Sequence, residues 1–271
     1  MEWLAAVERL RAERRPGVIV TLASVRGHAP RNGGAKMVVS AEATWGTIGG
    51  GNLEATAIAR ATAMIAERSG TPELITIQLS DKADSQYGVQ CCGGEVIMLL
   101  EPIGVVPSVA VFGVGHVGLE LARILSRLDV EVHLVDSRED MLTPARLAVL
   151  EGGNALVRVH HAPIPESVFD LLPPGTHALV MTHDHAEDVA LCDAGLRSTR
   201  FASIGLIGSA AKWSRFQRRL AEEGHSEAEL TRIHTPIGVP GITSKDPAAI
   251  AVSVAADLLR RFESEPSPVP S

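Results

Sequence analysis

At 271 residues, with 45% hydrophobic and 21% charged residues, the chain is long enough for two ordinary globular domains of roughly 100–200 residues each. Its formal net charge of −7 argues against a nucleic-acid surface and against adhesion to anionic membranes. The longest apolar stretch, residues 96–115, contains Glu101, Pro102 and Pro107, which excludes a single membrane-spanning helix there.

Aromatic residues make up only 3% of the chain, so cores of Ala, Val, Leu and Ile are expected. Three cysteines, two of them adjacent, do not form a disulfide framework. Met1-Glu2-Trp3 lacks the basic start and apolar core of a signal peptide, and a cytoplasmic location is the expectation. Four lysines stand against 21 arginines, and three of the four sit beside motifs, where a compact ammonium differs in use from a guanidinium fork.

Glu2 to Arg15 has helical spacing, with Trp3, Leu4, Val7 and Leu10 on one face and Pro16-Gly17 as the stop. A strand is expected over Val18–Val25, followed by a loop rich in turn residues from Arg26 to Gly34. Lys36–Ser40 and Thr44–Ile48 read as a hairpin pair. Gly49-Gly50-Gly51-Asn52 then introduces a helix, Leu53–Glu67, and Glu73–Leu79 and Gly94–Leu100 read as strands. Strands and helices do not alternate regularly here, so residues 1–101 are expected to form an α+β domain. Glu101–Pro107, with two prolines, is the expected linker.

From Val109 the pattern alternates. Strands are expected over Val109–Phe112, Val130–Val135, Ala155–Val159, Ala178–Met181 and Phe201–Leu206. Helices are expected over Leu119–Leu128, after Met181, and over Ser209–Glu223 and Pro247–Phe262. This order predicts a Rossmann-like, doubly wound parallel sheet over residues 108–262, and an α/β fold class for the whole. Residues 263–271, with three prolines and three serines, are expected to be a disordered tail.

The sharpest motif is Gly113-x-Gly115-x-x-Gly118, which closes an apolar β-branched run and opens a helix. Asp136 follows after a second apolar run, as a dinucleotide-binding fingerprint requires. In such a turn Gly113 permits the tight bend, Gly115 admits a phosphate to the backbone, and Gly118 lets helix and strand pack closely. His116, inside this turn, has little core around it to bury it. Read alone, the motif and Asp136 suggest an NAD(P)-dependent oxidoreductase, with NAD preferred because an aspartate suits a ribose 2′-OH.

Other candidates have simpler readings beside the functional one. Gly49-Gly50-Gly51, feeding a helix that carries Glu54, could bind phosphate through its N–H groups or be a plain turn. Arg31 could supply a guanidinium to the same anion or be an ordinary surface arginine. In Cys91-Cys92-Gly93-Gly94 the adjacent Cα atoms lie ~3.8 Å apart, short of the ~4.4–6.8 Å usual for a disulfide. A free thiolate fits, and so do two small residues at the base of a strand. A thiol enzyme acting on sulfur is a further possibility for Cys91 or Cys92. Thr182-His183-Asp184-His185 follows a strand end, where His183, His185 and Asp188 are conceivable metal ligands and Asp184 or Thr182 a helix cap. Gly205-Leu206-Ile207-Gly208-Ser209 opens a further helix, with Lys212 in its first turn as a cation beside an anion cradle.

Together these stretches resemble the xanthine dehydrogenase accessory factor family, XdhC/CoxI. The matching residues are Arg26-Gly27-His28-Ala29-Pro30-Arg31, Gly46-Thr47-Ile48-Gly49-Gly50-Gly51 with Glu54, and Gln90-Cys91-Cys92-Gly93-Gly94. In the second half they are Phe112 to Gly118, Thr182 to His185, Ile204 to Ser209 with Lys212, Pro236-Ile237-Gly238, and Ser244-Lys245 with Pro247. One departure is His28, where the family places a serine. The resemblance implies a non-catalytic chaperone. Such a protein binds the molybdenum cofactor, in its molybdopterin or cytosine dinucleotide form, and shields it while a cysteine desulfurase supports its sulfuration. It then delivers the cofactor to an apo-molybdoenzyme of the xanthine dehydrogenase family. Carried onto this chain, the resemblance makes Cys92 the metal contact, with Cys91 beside it. The other expected cofactor contacts, from the loops read above, are Arg31, Gly49, Gly50, Gly51, Glu54, Gly113, Gly115, His116, Gly118, Asp136, His183, Asp184, Ser209 and Lys212. A homo-oligomer is expected.

Overall fold

The computed structural model describes residues 2–79 and 94–264, and the chain divides into two compact units between Val105 and Val106. The first contains α1 (Glu2–Ala12), β1 (Gly17–Arg26), β2 (Lys36–Val39), β3 (Thr44–Gly46), α2 (Gly51–Ala66), β4 (Glu73–Leu79) and β5 (Gly94–Ile103). Its strands pair antiparallel in the order β3-β2-β1-β5-β4. Alternation along each strand decides which side chains face which helix. Val18, Val20 and Leu22, with Met37 and Val39, and Val96, Met98 and Leu100, are fully buried in one cluster with α2. That helix contributes Leu53, Ala57, Ala61 and Met64 at helical spacing. A second cluster joins Val38 and Ile19 to Ala6 and Leu10 of α1.

Two details of this unit differ from the sequence pattern. Helix α1 stops at Ala12 rather than Arg15, because Arg14 takes a left-handed conformation (φ 53°) and the Arg15 amide returns to the Leu10 carbonyl at 2.9 Å. Leu4, placed on the buried face by periodicity, is 41% exposed. The stripe that packs is instead Trp3, Ala6, Val7 and Leu10. Strand β5 runs on through Glu101 and Pro102 to Ile103, paired with β1 along its length.

The second unit contains β6 (Ser108–Phe112), α3 (His116–Leu125), β7 (Glu131–Asp136), α4 (Pro144–Leu147), β8 (Leu156–His161), β9 (Thr176–Val180) and α5 (His185–Arg197). It continues with β10 (Phe201–Leu206), α6 (Ala210–Glu222), α7 (Glu227–Leu230), β11 (Ile233–His234) and α8 (Pro247–Ser264). All its strands are parallel, in the order β11-β10-β9-β6-β7-β8. Every residue of β6 and β9 is buried, as a sheet covered on both faces demands. Helices α3 and α8 share one core cluster with the sheet, through Leu121, Ala122 and Leu125 and through Ala251, Val254 and Leu258. Val189, Leu191 and Leu196 of α5 and Phe216 and Leu220 of α6 belong to the other. The strand order reverses between β6 and β9, and ligands of such sheets bind outside the carboxyl ends of the strands at that switch point.

Helix α3 begins at His116, inside the glycine motif, rather than at Leu119. Helix α8 takes in Glu263 and Ser264, and the rest of the expected tail, residues 265–271, lies outside the described residues. Helix α7 and β11 were absent from the sequence reading. The first is started by a capping box, in which the Ser226 hydroxyl and the Glu229 carboxylate each satisfy the other's backbone amide. Among the described residues no helix is long and apolar enough to cross a membrane.

Candidate functional site

The carboxyl ends of β6 and β9 meet at the glycine turn. Gly113 lies at φ 100°, and a Cβ there would stand 2.4 Å from the Met181 carbonyl oxygen. A Cβ on Gly118 would stand 2.1 Å from the Gly113 carbonyl oxygen, so its absence lets α3 close onto the turn. Nothing lies within 4 Å of a Cβ built on Gly115, and Gly115 lines a cleft of about 440 Å³. The cleft is also lined by His116, Gly118, Arg138, Arg146, Thr182 and His183, with Met141, Met181, Ile207 and Pro247 as apolar wall. Its described lining holds two arginines and two histidines and no carboxylate. The first helical bond of α3 is donated by Leu119 to the Gly115 carbonyl at 3.0 Å. The amides of His116, Val117 and Gly118 are therefore the open donors of its first turn, at the positive end of the helix.

Asp136 does not face this cleft as a free acceptor. It is 1% exposed, and one oxygen accepts the Val114 amide at 2.7 Å. The other accepts the Arg138 amide at 3.0 Å, and the Arg138 guanidinium closes a two-pronged pair at 3.0 Å on each oxygen. Burial opposes the charge, but the donors from Arg138 and Val114 outweigh it and hold the carboxyl below the usual carboxylate range. Asp136, expected from the sequence to meet a ribose hydroxyl, locks the glycine turn to β7 through these oxygens. Arg146 braces the same turn from the other side. Its guanidinium donates to the carbonyls of Val114 (3.1 Å) and Met141 (3.2 Å) rather than to a carboxylate, so its charge stays available at the wall.

The Thr182–His185 segment divides its labour. His183 lines the cleft. Asp184 is the N-cap of α5, accepting the amides of Ala186 (2.6 Å) and Glu187 (3.4 Å). Those two amide bonds hold its carboxyl below the usual range. The ligand role expected for Asp184 is replaced by capping. The conceivable His183–His185–Asp188 metal site does not form: Asp188 is fully buried and turned to Lys212 (2.6 Å), and His185 lies edge-on to the Phe216 ring. Among the described residues no group of three His, Cys, Asp or Glu side chains stands together to hold a metal. Ser209 caps α6, accepting the Lys212 amide at 3.3 Å. The ammonium of Lys212, expected beside an anion, is spent on Asp188 and on the Ile207 carbonyl (3.0 Å).

The first unit brings three of the sequence motifs into contact. Gly49, Gly50 and Gly51 all have positive φ (125°, 73° and 62°), a run open only to glycine. A Cβ on Gly49 would stand 2.6 Å from Pro30, and 3.5 Å from the Arg31 side chain. A Cβ on Gly94 would stand 2.5 Å from the His28 carbonyl oxygen. Position 28 therefore packs through its main chain, which accounts for a histidine being accommodated there. The Gly49–Gly51 loop, read from the sequence as a phosphate cradle or a plain turn, has its Gly49 amide donated to the Thr47 hydroxyl at 3.1 Å. Glu54 turns back into it and accepts the amides of Gly50 (3.0 Å) and Ile48 (3.1 Å) and the Thr47 hydroxyl (2.5 Å). Burial disfavours the Glu54 charge, but these donors prevail and hold its carboxyl below the ordinary value. Cys91 and Cys92 lie outside the described residues.

Of the sequence candidates, Gly115, His116, Gly118 and His183 meet at one cleft, Gly113 and Asp136 hold the glycine turn behind it, and Asp184, Ser209 and Lys212 act as helix caps and an ion-pair partner. Arg138 and Arg146 were missed. Arg138, close behind Asp136, was within reach of sequence reasoning, since a buried carboxylate calls for a partner. Nothing in the sequence marked Arg146, which the short helix α4 carries to the cleft.

A parallel sheet in this order, with a glycine turn opening α3 at the switch point, defines a Rossmann-type nucleotide-binding architecture in the second unit. The XdhC Rossmann domain model matches residues 109–258, and the model of the XdhC and CoxI family matches residues 10–78. The chain belongs to the XdhC/CoxI family. It is 27% identical over 259 residues to the uncharacterized protein YqeB of Escherichia coli K12. That match covers 95% of this chain and 46% of the relative, so the chain spans about half the length of the curated relative it matches. A crystal structure of a xanthine dehydrogenase from Bacillus halodurans aligns with a TM-score of 0.48 at 19% identity, over 98% of this chain and 97% of that one.

Proposed function

We propose that the chain is a carrier of the molybdenum cofactor that protects it during sulfuration and delivers it to an apo-molybdoenzyme of the xanthine dehydrogenase family. The observation that carries this reading is the cleft at the start of α3, where open amides, Arg146, His116 and His183 converge beside the Asp136-paired Arg138, with no carboxylate in the described lining. Such a wall suits the phosphate of molybdopterin, or the pyrophosphate of its cytosine dinucleotide form. The neutral amides hold the anion by direction, and Arg146, whose guanidinium donates to two carbonyls, adds charge that no carboxylate among the described residues pairs with. A thiolate at Cys92 suits a sulfur-rich metal centre, and its place in the motif makes it the proposed metal ligand. A cysteine desulfurase is the proposed sulfur source.

The test is retention of molybdenum and pterin after incubation with cofactor released from a molybdoenzyme. Arg146→Gln is expected to weaken retention about tenfold, the worth of one charge-assisted bond, and Cys92→Ser to weaken it through loss of the metal contact. Equal retention by wild type and Cys92→Ser removes Cys92 from the site, and no retention by wild type ends the reading. The NAD(P) alternative lacks its ribose acceptor, since both oxygens of Asp136 are engaged by Val114 and Arg138. Calorimetry with millimolar NAD is expected to show no heat of binding.

A further inference from the structure

Lys212 and Asp188 form a buried ion pair that touches the cleft only through intermediaries. Their side chains are 13% and 0% exposed, with Nζ 2.6 Å from Oδ2. Removing two charges from water is costly unless the remaining donors and acceptors are also satisfied, and here they are. The other oxygen of Asp188 accepts the Thr182 amide at 3.1 Å and its hydroxyl at 2.8 Å. The Lys212 ammonium makes a second bond to the Ile207 carbonyl at 3.0 Å and lies 5.2 Å from the centre of the Phe216 ring. A Cβ on Gly208 would stand 2.8 Å from Cδ of Lys212, so glycine there lets the lysine stem pass. Thr182 and Ile207, the two residues held, line the cleft at the ends of β9 and β10. Thr182 in turn abuts the fingerprint turn, its Cα 2.7 Å from where a Cβ on Gly113 would be.

We infer that Lys212 and Asp188 are positioning residues, a clamp between α5 and α6 that sets the Thr182 and Ile207 wall of the cleft, and that Lys212 does not itself contact the bound anion. The inference rests on the reading of this cleft as the cofactor site. The ammonium already serves a carboxylate, a carbonyl and an aromatic face, which matches its three donors.

The two roles for Lys212 predict opposite results for its partner. Full-length Lys212→Met, Asp188→Ala and the double variant are loaded with cofactor released from a molybdoenzyme, and amide hydrogen exchange is followed in parallel. A clamp predicts that each single variant loses about tenfold in retention and that the double is no worse than either, the non-additivity of a coupled pair. It also predicts faster exchange of the Thr182 amide, with β7 amides unchanged in the double variant. That variant buries no unpaired charge and carries the test if a single one fails to fold. A direct contact predicts instead that Asp188→Ala, by freeing the ammonium, keeps or raises retention; that result overturns the inference. A wild-type chain that retains no cofactor contradicts the proposed function and leaves the clamp to the exchange data, where an unchanged Thr182 amide overturns it.

Discussion

Single atoms decide what the glycine turn tolerates. Gly118→Ala forces a Cβ to within 2.1 Å of the Gly113 carbonyl oxygen and is expected to lower stability by about 1–3 kcal/mol, as overpacking does. Gly115→Ala, at φ −73° with open space beside it, is expected to stay within about 1 kcal/mol of wild type while narrowing the cleft. Urea unfolding of the two variants checks the contrast, and a larger loss at Gly115 contradicts the packing account. His177 contributes to acid sensitivity. Burial pushes its pKa down from 6.5 to about 4, with Nδ1 2.8 Å from the Ser203 hydroxyl. The folded chain therefore binds fewer protons here than the unfolded chain. The contribution is fully present above about pH 6.5 and is lost as pH falls towards about 4, at most about 3 kcal/mol. Unfolding free energies of His177→Asn across that range are expected to fall less steeply than those of wild type. Asp136 illustrates what the sequence shows and what it hides. Its distance from Gly113 marked it as a ribose contact, but its partners Val114 and Arg138 converge only once β7 lies beside β6.

Elements were legible where a periodic pattern ran long enough to fix a face. Strands β6, β7, β9 and β10 fell within two residues of expectation because apolar runs bounded by turn residues leave little choice. The two-residue β11 has no pattern of its own and exists only through its parallel pairing with β10. Helix α1 shows a related limit: periodicity placed Leu4 inside, while the width of the contact with Val38 leaves it outside and buries Ala6. Leu10, fully buried beside Val38 and Gly17, is the anchor of that helix. Leu10→Ala is expected to destabilise the chain by about 2–5 kcal/mol, measured by thermal or urea unfolding, and Leu4→Ala by less than about 1 kcal/mol. Equal effects contradict the assigned face. Ser209 and Lys212 looked alike in sequence as parts of one anion cradle. The structure separates them into a helix cap and half of an ion pair, because Asp188 is brought opposite Lys212 only when α5 and α6 pack.

The whole molecule joins an antiparallel α+β unit to a parallel nucleotide-type unit, each organised by a glycine-rich turn with a carboxylate folded back onto it. In the first, Glu54 accepts the Ile48 and Gly50 amides of its own loop. In the second, Asp136 holds the turn from below, and the amides at the head of α3 stay open towards the cleft. That asymmetry supports the proposed anion contact in the second unit. The most direct test is mass spectrometry of the small molecules that co-purify with the full chain from a molybdate-grown host, with molybdenum measured alongside. The account predicts molybdopterin or its cytosine dinucleotide with matching molybdenum, both reduced in Arg146→Gln. A nicotinamide nucleotide in their place, or wild type and Arg146→Gln carrying the same pterin load, would contradict it.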